Sequence, residues 1–304
     1  MTKVLITGGT GLIGQHLSRL LIKKGYEIAL LSRSRNKSKE TEIPTYYWDV
    51  DKNKIDQEAI NSCDHIIHLA GVNIGEKRWT NRRKQQILDS RIQSANLIFN
   101  NLKNQDTRLK TFISASAIGY YGSITSDKIF VETDSPADDF LGNICNQWEQ
   151  SADRFSSLGI RVVKVRTGIV LSEKGGVLSR FNIPARLGLG SAIGTGRQFL
   201  PWIHIDDLCN LYLSAIENPD MNGPYNAVAP EHITNKEFAR KISGILKKPF
   251  WFPNIPTFLI RIVFGEMSVM LLNGSRVAPK KIEATGYKFQ FPSIDNTLKS
   301  LLIK

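Results

Sequence analysis

Short apolar runs alternate with amphipathic stretches through the first half of the chain. Residues 3–7, 27–32, 45–48, 65–69, 111–116 and 161–166 are rich in β-branched and aromatic side chains. Their nearly continuous apolar character suits strands covered on both faces. Between them, residues 12–24, 82–103 and 143–157 carry apolar positions at helical spacing. This alternation predicts an α/β fold, a Rossmann-like doubly wound parallel sheet with helices on both faces. After Arg166 the texture changes. Residues 172–199 are rich in glycine and weakly periodic, which predicts loops and short elements over a ligand cleft. Residues 234–246, 255–272 and 295–302 read as helices of a smaller C-terminal α/β lobe. The expected division is therefore a ligand-binding domain over residues 1–170, to which segments near 200–230 return, and cleft loops with the lobe over 171–304, including a distinct piece at 255–302.

The chemistry begins at the first strand. In KVLITGGTGLIG, residues 3–14, a buried strand runs into a glycine-rich turn and the first turn of a helix. Gly8, Gly11 and Gly14 permit a sharp turn, close approach to a ligand and tight helix–strand packing. The backbone from Thr10 through Leu12, Ile13 and Gly14 aims free N–H groups and the positive end of the helix dipole at whatever sits above the turn. A pyrophosphate fits that position, so the pattern predicts dinucleotide binding. An acid at the end of the second strand would bind a ribose 2′-hydroxyl and favour NAD. Here Ser32, Arg33 and Arg35 occupy the place, and no acid appears before Glu40. A guanidinium clamps a 2′-phosphate, which predicts NADP(H) in preference to NAD(H). Leu69, Ala70 and Gly71 end another strand where small residues let backbone pass close to the cofactor. Arg91, on the long helix that follows, either reaches the cofactor or covers surface. His68 reads as a packed core histidine.

The formal net charge of +12 is high for 304 residues, but Lys and Arg are spread along the chain. No nucleic-acid module or aromatic–basic repeat accompanies them, so no nucleic-acid partner is expected. Cys63, Cys145 and Cys209 are odd in number and far apart, which predicts reduced thiols and a cytoplasmic protein. The most apolar stretch, residues 255–272, contains Pro256, Arg261, Gly265 and Glu266. It is a poor membrane span and reads instead as a buried amphipathic helix, so no membrane partner is expected either.

Several motifs together resemble the extended short-chain dehydrogenase/reductases, the group of sugar-nucleotide epimerases and dehydratases. They are TGGTGLIG (7–14), HLAG (68–71), SASAIGYYG (114–122) and FLPWIHIDDL (199–208). The pairing of HLAGVNI with WTNRRKQQILDSR, the Trp148–Glu149 pair and the piece at 264–292 is similar to an atypical, cell-division-inhibitor-like branch with its own small C-terminal domain. In that group a Tyr-x-x-x-Lys motif supplies an acid/base phenol and a lysine that lowers its pKa and holds the nicotinamide ribose. Counting back from Glu149, the tyrosine place falls at Leu141 and the lysine place at Cys145, so neither residue is present. Candidate substitutes are Ser116, the polarising hydroxyl of the resemblance, Tyr120 or Tyr121 just beyond it, Glu132, and Cys145 itself. Val170 falls in the loop that closes on the nicotinamide in relatives. Arg186 and Arg197, among the glycines, are candidate anchors for an anionic substrate. His204, Asp206 and Asp207 are too contiguous for a metal site and read as structural, so no metal is assigned. The resemblance also implies a homodimer through the two long helices. Two functions fit: hydride or epimerase-like chemistry on a small polar substrate, or a catalytically silent NADP(H)-binding sensor.

Overall fold

A computed structural model describes residues 1–34 and 43–303, so the predicted contact at Arg35 lies outside the described residues. In chain order the first half runs β1 (Lys3–Thr7), α1 (Leu12–Lys23), β2 (Glu27–Ser32), β3 (Thr45–Asp49), β4 (Lys54–Ile55), α2 (Gln57–Asn61), β5 (His65–His68), α3 (Asn81–Leu102), β6 (Thr111–Ala117), β7 (Ile129–Phe130) and α4 (Phe140–Asp153). There follow β8 (Arg161–Thr167), β9 (Ile169–Ser172), β10 (Gly175–Gly176), α5 (Val177–Arg186), β11 (Trp202–His204), α6 (Ile205–Glu217) and β12 (Gly223–Ala227). The chain ends with α7 (Asn235–Ile245), α8 (Thr257–Phe264), α9 (Val269–Leu272), β13 (Arg276–Val277), α10 (Lys280–Ala284) and α11 (Ile294–Leu302).

The central sheet has the order β12-β8-β6-β5-β1-β2-β3-β4, parallel throughout except for the β3–β4 edge pair. Strand order reverses between β1 and β5, which places the ligand crevice above their carboxyl ends. One face of the sheet packs on α1 and α6 through Leu17, Leu21, Leu208 and Tyr212. The other packs on α3 and the 3-10 turn that follows α4 through Ile98, Phe99 and Phe155, with Phe155 stacked on Phe112 at 3.7 Å. The predicted strands and long helices all appear, displaced by at most a few residues at their ends. After residue 200 the chain returns to the sheet, where β12 adds to the edge at β8.

A separate apolar cluster holds α5, α7 and α11 together through Leu178, Phe238, Ile242, Ile294 and Leu298. The lobe is tied to the core by backbone clamps. Asp207, fully buried at the start of α6, accepts from the Gln290 and Phe291 N–H groups at 2.7 and 2.9 Å. This is the structural role expected of the HIDDL segment. Two expectations need correction. The glycine-rich stretch contains a regular helix, α5, and residues 255–272 do not form one buried helix. That segment breaks at Gly265 (φ 58°), and most side chains of α8 face outward, with Ile260 its one buried residue. Among the described residues no helix is long and apolar enough to cross a membrane. The three cysteines are free and buried.

The sheet's carboxyl edge is fixed by a buried polar relay. His68 is fully buried, with Nδ1 2.9 Å from the Thr7 hydroxyl and Nε2 3.0 Å from the Ser94 hydroxyl. Thr7 Oγ1 also accepts from the Ala70 N–H, so its proton goes to Nδ1 and Nε2 carries the ring hydrogen. Ser94 passes its own proton to backbone carbonyls of α3. Burial lowers the His68 pKa to about 4, and that of the neighbouring core residue His65 to about 4. A histidine kept neutral by the fold binds fewer protons than it does unfolded. Its contribution is therefore intact above the unfolded value near 6.5 and is lost as pH falls toward 4. Between pH 7 and 4.5, His68 alone accounts for a loss of about 2–3 kcal/mol. Urea unfolding at the two pH values measures this, and His68→Gln is expected to show the shallower pH dependence. Equal slopes for the two proteins would refute it.

Candidate cofactor and active site

The glycine turn is built for contact. Gly8 sits at φ 70°, and a Cβ there would stand 2.9 Å from the Leu69 carbonyl carbon. A Cβ on Gly14 would stand 2.5 Å from the Gly8 oxygen and 2.6 Å from the Gly9 Cα, so only hydrogen fits. The turn closes through the Gly11 N–H to the Gly8 oxygen at 3.1 Å, and Gly11 caps α1 with no side-chain bond. The first N–H groups of α1, at Leu12, Ile13 and Gly14, thus have no helical partner and face the crevice. Thr10 is exposed in the turn. Gly176 approaches from the opposite side, its Cβ position 3.4 Å from the Val170 oxygen and 4.0 Å from Leu12. Ser32 ends β2, and the exposed Arg33 follows it. The turn, the end of β2 and the end of β5 thus lie together along the sheet's carboxyl edge.

Arg91 reaches that edge from α3. Its Nη1 donates to the Ile87 and Val72 carbonyls at 2.9 and 3.3 Å, and its Cζ lies 4.8 Å from the Trp148 ring centre. The guanidinium would touch a Cβ on Gly71 at 3.4 Å. It is largely buried, desolvation lowers its pKa, and no described carboxylate pairs with it. A buried cation without an anion is unusual for a merely structural residue. Cys145 lies one helical turn before Trp148, the ring beside the Arg91 guanidinium. The Arg91 cation therefore stands beside the place where the absent lysine would be.

Beneath the carboxyl edge, toward β6 and β8, lies a buried polar network. Arg166, on β8, donates from Nε to Glu149 Oε1 at 2.7 Å and from Nη2 to Oε2 at 2.9 Å. Ser116 donates to the same Oε1 at 2.8 Å, and Lys164 stands 3.6 Å from Oε2. Arg166 Nη1 donates to the Tyr121 hydroxyl at 2.9 Å, and Tyr121 donates to Asn226 Oδ1 at 2.7 Å. Glu132 Oε1 accepts from the Asn226 N–H at 3.0 Å and the Lys281 N–H at 3.3 Å. Ser116, Tyr121 and Glu132 are therefore brought together, but as members of this network.

Their expected roles change accordingly. Tyr121 is buried, and desolvation pushes its phenol up to about 12, so it holds its proton between fixed partners. Cys145 is buried too, its thiol pushed up to about 12, and is no base near neutrality. Glu132 spends its carboxylate on backbone N–H groups. Tyr120 is half-buried with its ring on the Arg166 guanidinium, 3.5 Å from Cζ, and no described residue holds its hydroxyl. Arg186 is exposed and bound to Asn182, Arg197 is exposed, and neither joins the network. The sequence reading missed Glu149, Arg166 and Asn226 as partners. The available signal was Lys164 and Arg166 alternating within a buried strand, which demands a carboxylate nearby.

A doubly wound sheet with a glycine turn at its switch point defines a dinucleotide-binding protein of the short-chain dehydrogenase type. Residues 4–228 match the NAD dependent epimerase/dehydratase family, and residues 255–301 match a domain of unknown function, DUF1731. The chain belongs to that epimerase/dehydratase family. It is 34% identical to the epimerase family protein YfhF of Bacillus subtilis, over 98% of this chain and 97% of the relative. It is 35% identical to the human epimerase family protein SDR39U1, over 99% of each. The crystal structure of human SDR39U1 (isoform 2) with NADPH superposes with a TM-score of 0.87 at 33% identity, covering 99% of both chains. UDP-glucose 4-epimerase of Thermus thermophilus, at 19% identity and a TM-score of 0.75, shares the fold.

The buried pair makes a stability prediction. Removing one partner strands the other charge in a dry site, so Glu149→Ala should cost about 3–5 kcal/mol in chemical denaturation. Glu149→Met combined with Arg166→Met should recover much of that loss. A cost below about 1 kcal/mol for the single variant would mean the pair is hydrated.

Proposed function

We propose that this protein binds NADP(H) in preference to NAD(H) and uses it for redox or epimerase-like chemistry on a small polar substrate. The carrying observation is the cradle itself, in which Gly8 and Gly14 leave room only for hydrogen beneath a row of free helix N–H groups. Such a cradle fits a pyrophosphate. Arg33, directly after β2, is a cation that supports a 2′-phosphate contact, and a relative at 33% identity was crystallised with NADPH. Bound NADP(H) would supply a hydride donor or acceptor at its nicotinamide.

The chain's own residues do the rest. Arg91 would hold the bound cofactor and supply the fixed positive charge that a lysine gives elsewhere. Tyr120, whose hydroxyl no described residue holds, is the phenol available to a substrate oxygen. Its ring lies on the Arg166 guanidinium, a cation–π contact that orients it. Ser116, Glu149, Arg166 and Tyr121 keep this floor rigid and dry.

The competing reading, a silent sensor of cofactor state, is favoured by the burial of Tyr121 and the absence of the Tyr-x-x-x-Lys pair. A turnover panel separates the two readings, with carbonyl compounds and sugar nucleotides followed by loss of reduced-nicotinamide absorbance. Turnover that falls sharply in Tyr120→Phe with NADPH affinity kept supports the enzyme. Absence of turnover across the panel supports the sensor.

Calorimetric titration tests the cofactor. Arg33→Glu should weaken NADPH about tenfold or more and change NADH little, the scale of one charge-assisted contact. Arg91→Leu should weaken both cofactors. Wild-type protein that binds NADH as tightly as NADPH would overturn the preference.

A further inference from the structure

The outward face of α8 is unlike the rest of the surface. Phe258 is 61% exposed and Ile262 65%, with Leu259 and Val263 beside them. Trp251, 70% exposed, and Phe252 precede the helix. The end of α5 continues this face with Ile183, Leu187 and Leu189. The two segments are joined edge to edge. Ile255 donates to the Ala192 carbonyl at 2.8 Å, Gly194 donates to the Ile255 carbonyl at 2.9 Å, and Pro249 lies 3.8 Å from where a Cβ on Gly188 would stand.

The charge of these two segments is one-sided. Residues 174–205 contain four Lys or Arg and residues 238–265 contain five, and neither contains any of the chain's 28 acidic residues. Arg186, Lys247, Lys248 and Arg261 are exposed, and none pairs with a described carboxylate. Lys241 and Lys84, at the margins, do find acids, Asp295 and Glu266.

We propose that this face docks on an anionic lipid surface, with Trp251, Phe258 and Ile262 entering the headgroup boundary and the four unpaired cations on lipid phosphates. Exposed large apolar side chains on segments that carry cations and no acids suit a fluid apolar phase bounded by phosphate. A protein partner would need polar groups to pair with, and its interface would carry a mixed rim. A second copy would set the same cations against one another across a two-fold axis. The sequence expectation of no membrane partner rested on the lack of a spanning helix. Surface docking needs none. Arg78, in the loop that follows β5, donates to the Val263 carbonyl at 2.8 Å, so the docking face lies beside the loops of the sheet's carboxyl edge.

The inference does not depend on the cofactor reading, because its readout is binding to vesicles without cofactor. The full chain is floated on density gradients with vesicles of phosphatidylcholine alone and of phosphatidylcholine mixed with phosphatidylglycerol. The protein should float with the anionic vesicles only, and high salt should release it. Each cation near the surface contributes about fivefold to partitioning, so Lys247→Glu with Lys248→Glu should reduce it tenfold or more. Trp251→Ser with Phe258→Ser should abolish flotation while melting temperature and circular dichroism stay unchanged, as expected for exposed positions. Absence of flotation with the anionic vesicles would overturn the proposal. So would flotation that both variants retain, or a concentration-dependent dimer that Phe258→Ser dissolves, which would assign the face to a second copy.

Discussion

The bidentate contact between Arg166 and Glu149 is the constraint around which the second half of the sheet is organised. Two charges in a dry interior are tolerated only when nearly every donor and acceptor is used. The geometry meets that demand. Ser116 supplies the carboxylate with a further proton, Arg166 spends Nη1 on Tyr121 and the Glu132 carbonyl, and Tyr121 passes its proton to Asn226. Each bond fixes a different element: β6, α4, β8, the turn after β6 and β12. Asn226 then donates to the Ala278 carbonyl, which brings in the C-terminal domain. Satisfying one buried ion pair thus orders the ground beneath the cofactor edge and joins it to a segment more than a hundred residues distant.

This network accounts for how the chain departs from its relatives' motif without losing its shape. With Leu141 and Cys145 at the tyrosine and lysine places, α4 presents carbon and sulfur to Gly119, whose Cβ position lies 3.4 Å from Leu141 Cβ and 3.6 Å from the Cys145 sulfur. That contact is close-packed and apolar. Positive charge stands instead on Arg91 of α3, which no described carboxylate pairs, and on Arg166 of β8, which Glu149 pairs. Neutralisation by Glu149 makes Arg166 a poor source of field for a distant oxyanion. Its flat face on the Tyr120 ring is where its charge still acts.

What was legible in the sequence follows from range. β1 and β2 were read to the residue, because a β-branched run and its flanking turn are local. Gly8 to Gly14 were legible for the same reason. Arg166 and Glu149 lie on different elements, and Tyr121 and Asn226 are 105 positions apart, so no spacing rule could join them. Adjacent tyrosines were also indistinguishable. A turn of 3-10 helix at Ile118–Tyr121 sends Tyr121 into the core and leaves Tyr120 half-exposed. The failure at residues 255–272 has a different cause. Apolar composition predicted burial, but composition does not say that something exists within the chain to bury against.

That last discrepancy bears on how the lobe is held. Its attachments combine polar clamps, Asp207 on the Gln290 and Phe291 amides and Glu132 on the Lys281 amide, with apolar packing of Ile282 on the main core, Val277 on Tyr121 and Phe130, and Met267 on Ile87 and Leu141. Its own apolar cluster lies among α5, α7 and α11 and does not involve Phe258 or Ile262. On α8, Ile260 is buried, Phe264 is packed near Trp79, and Arg78 holds the helix's last carbonyls. The outer side chains of α8 therefore contribute little to folding and expose apolar area that water disfavours. Polar replacements there would leave the described contacts intact and improve solubility. Apolar residues that folding does not require, set on segments whose exposed cations no described acid neutralises, are most simply explained by a surface the protein meets rather than by the protein itself.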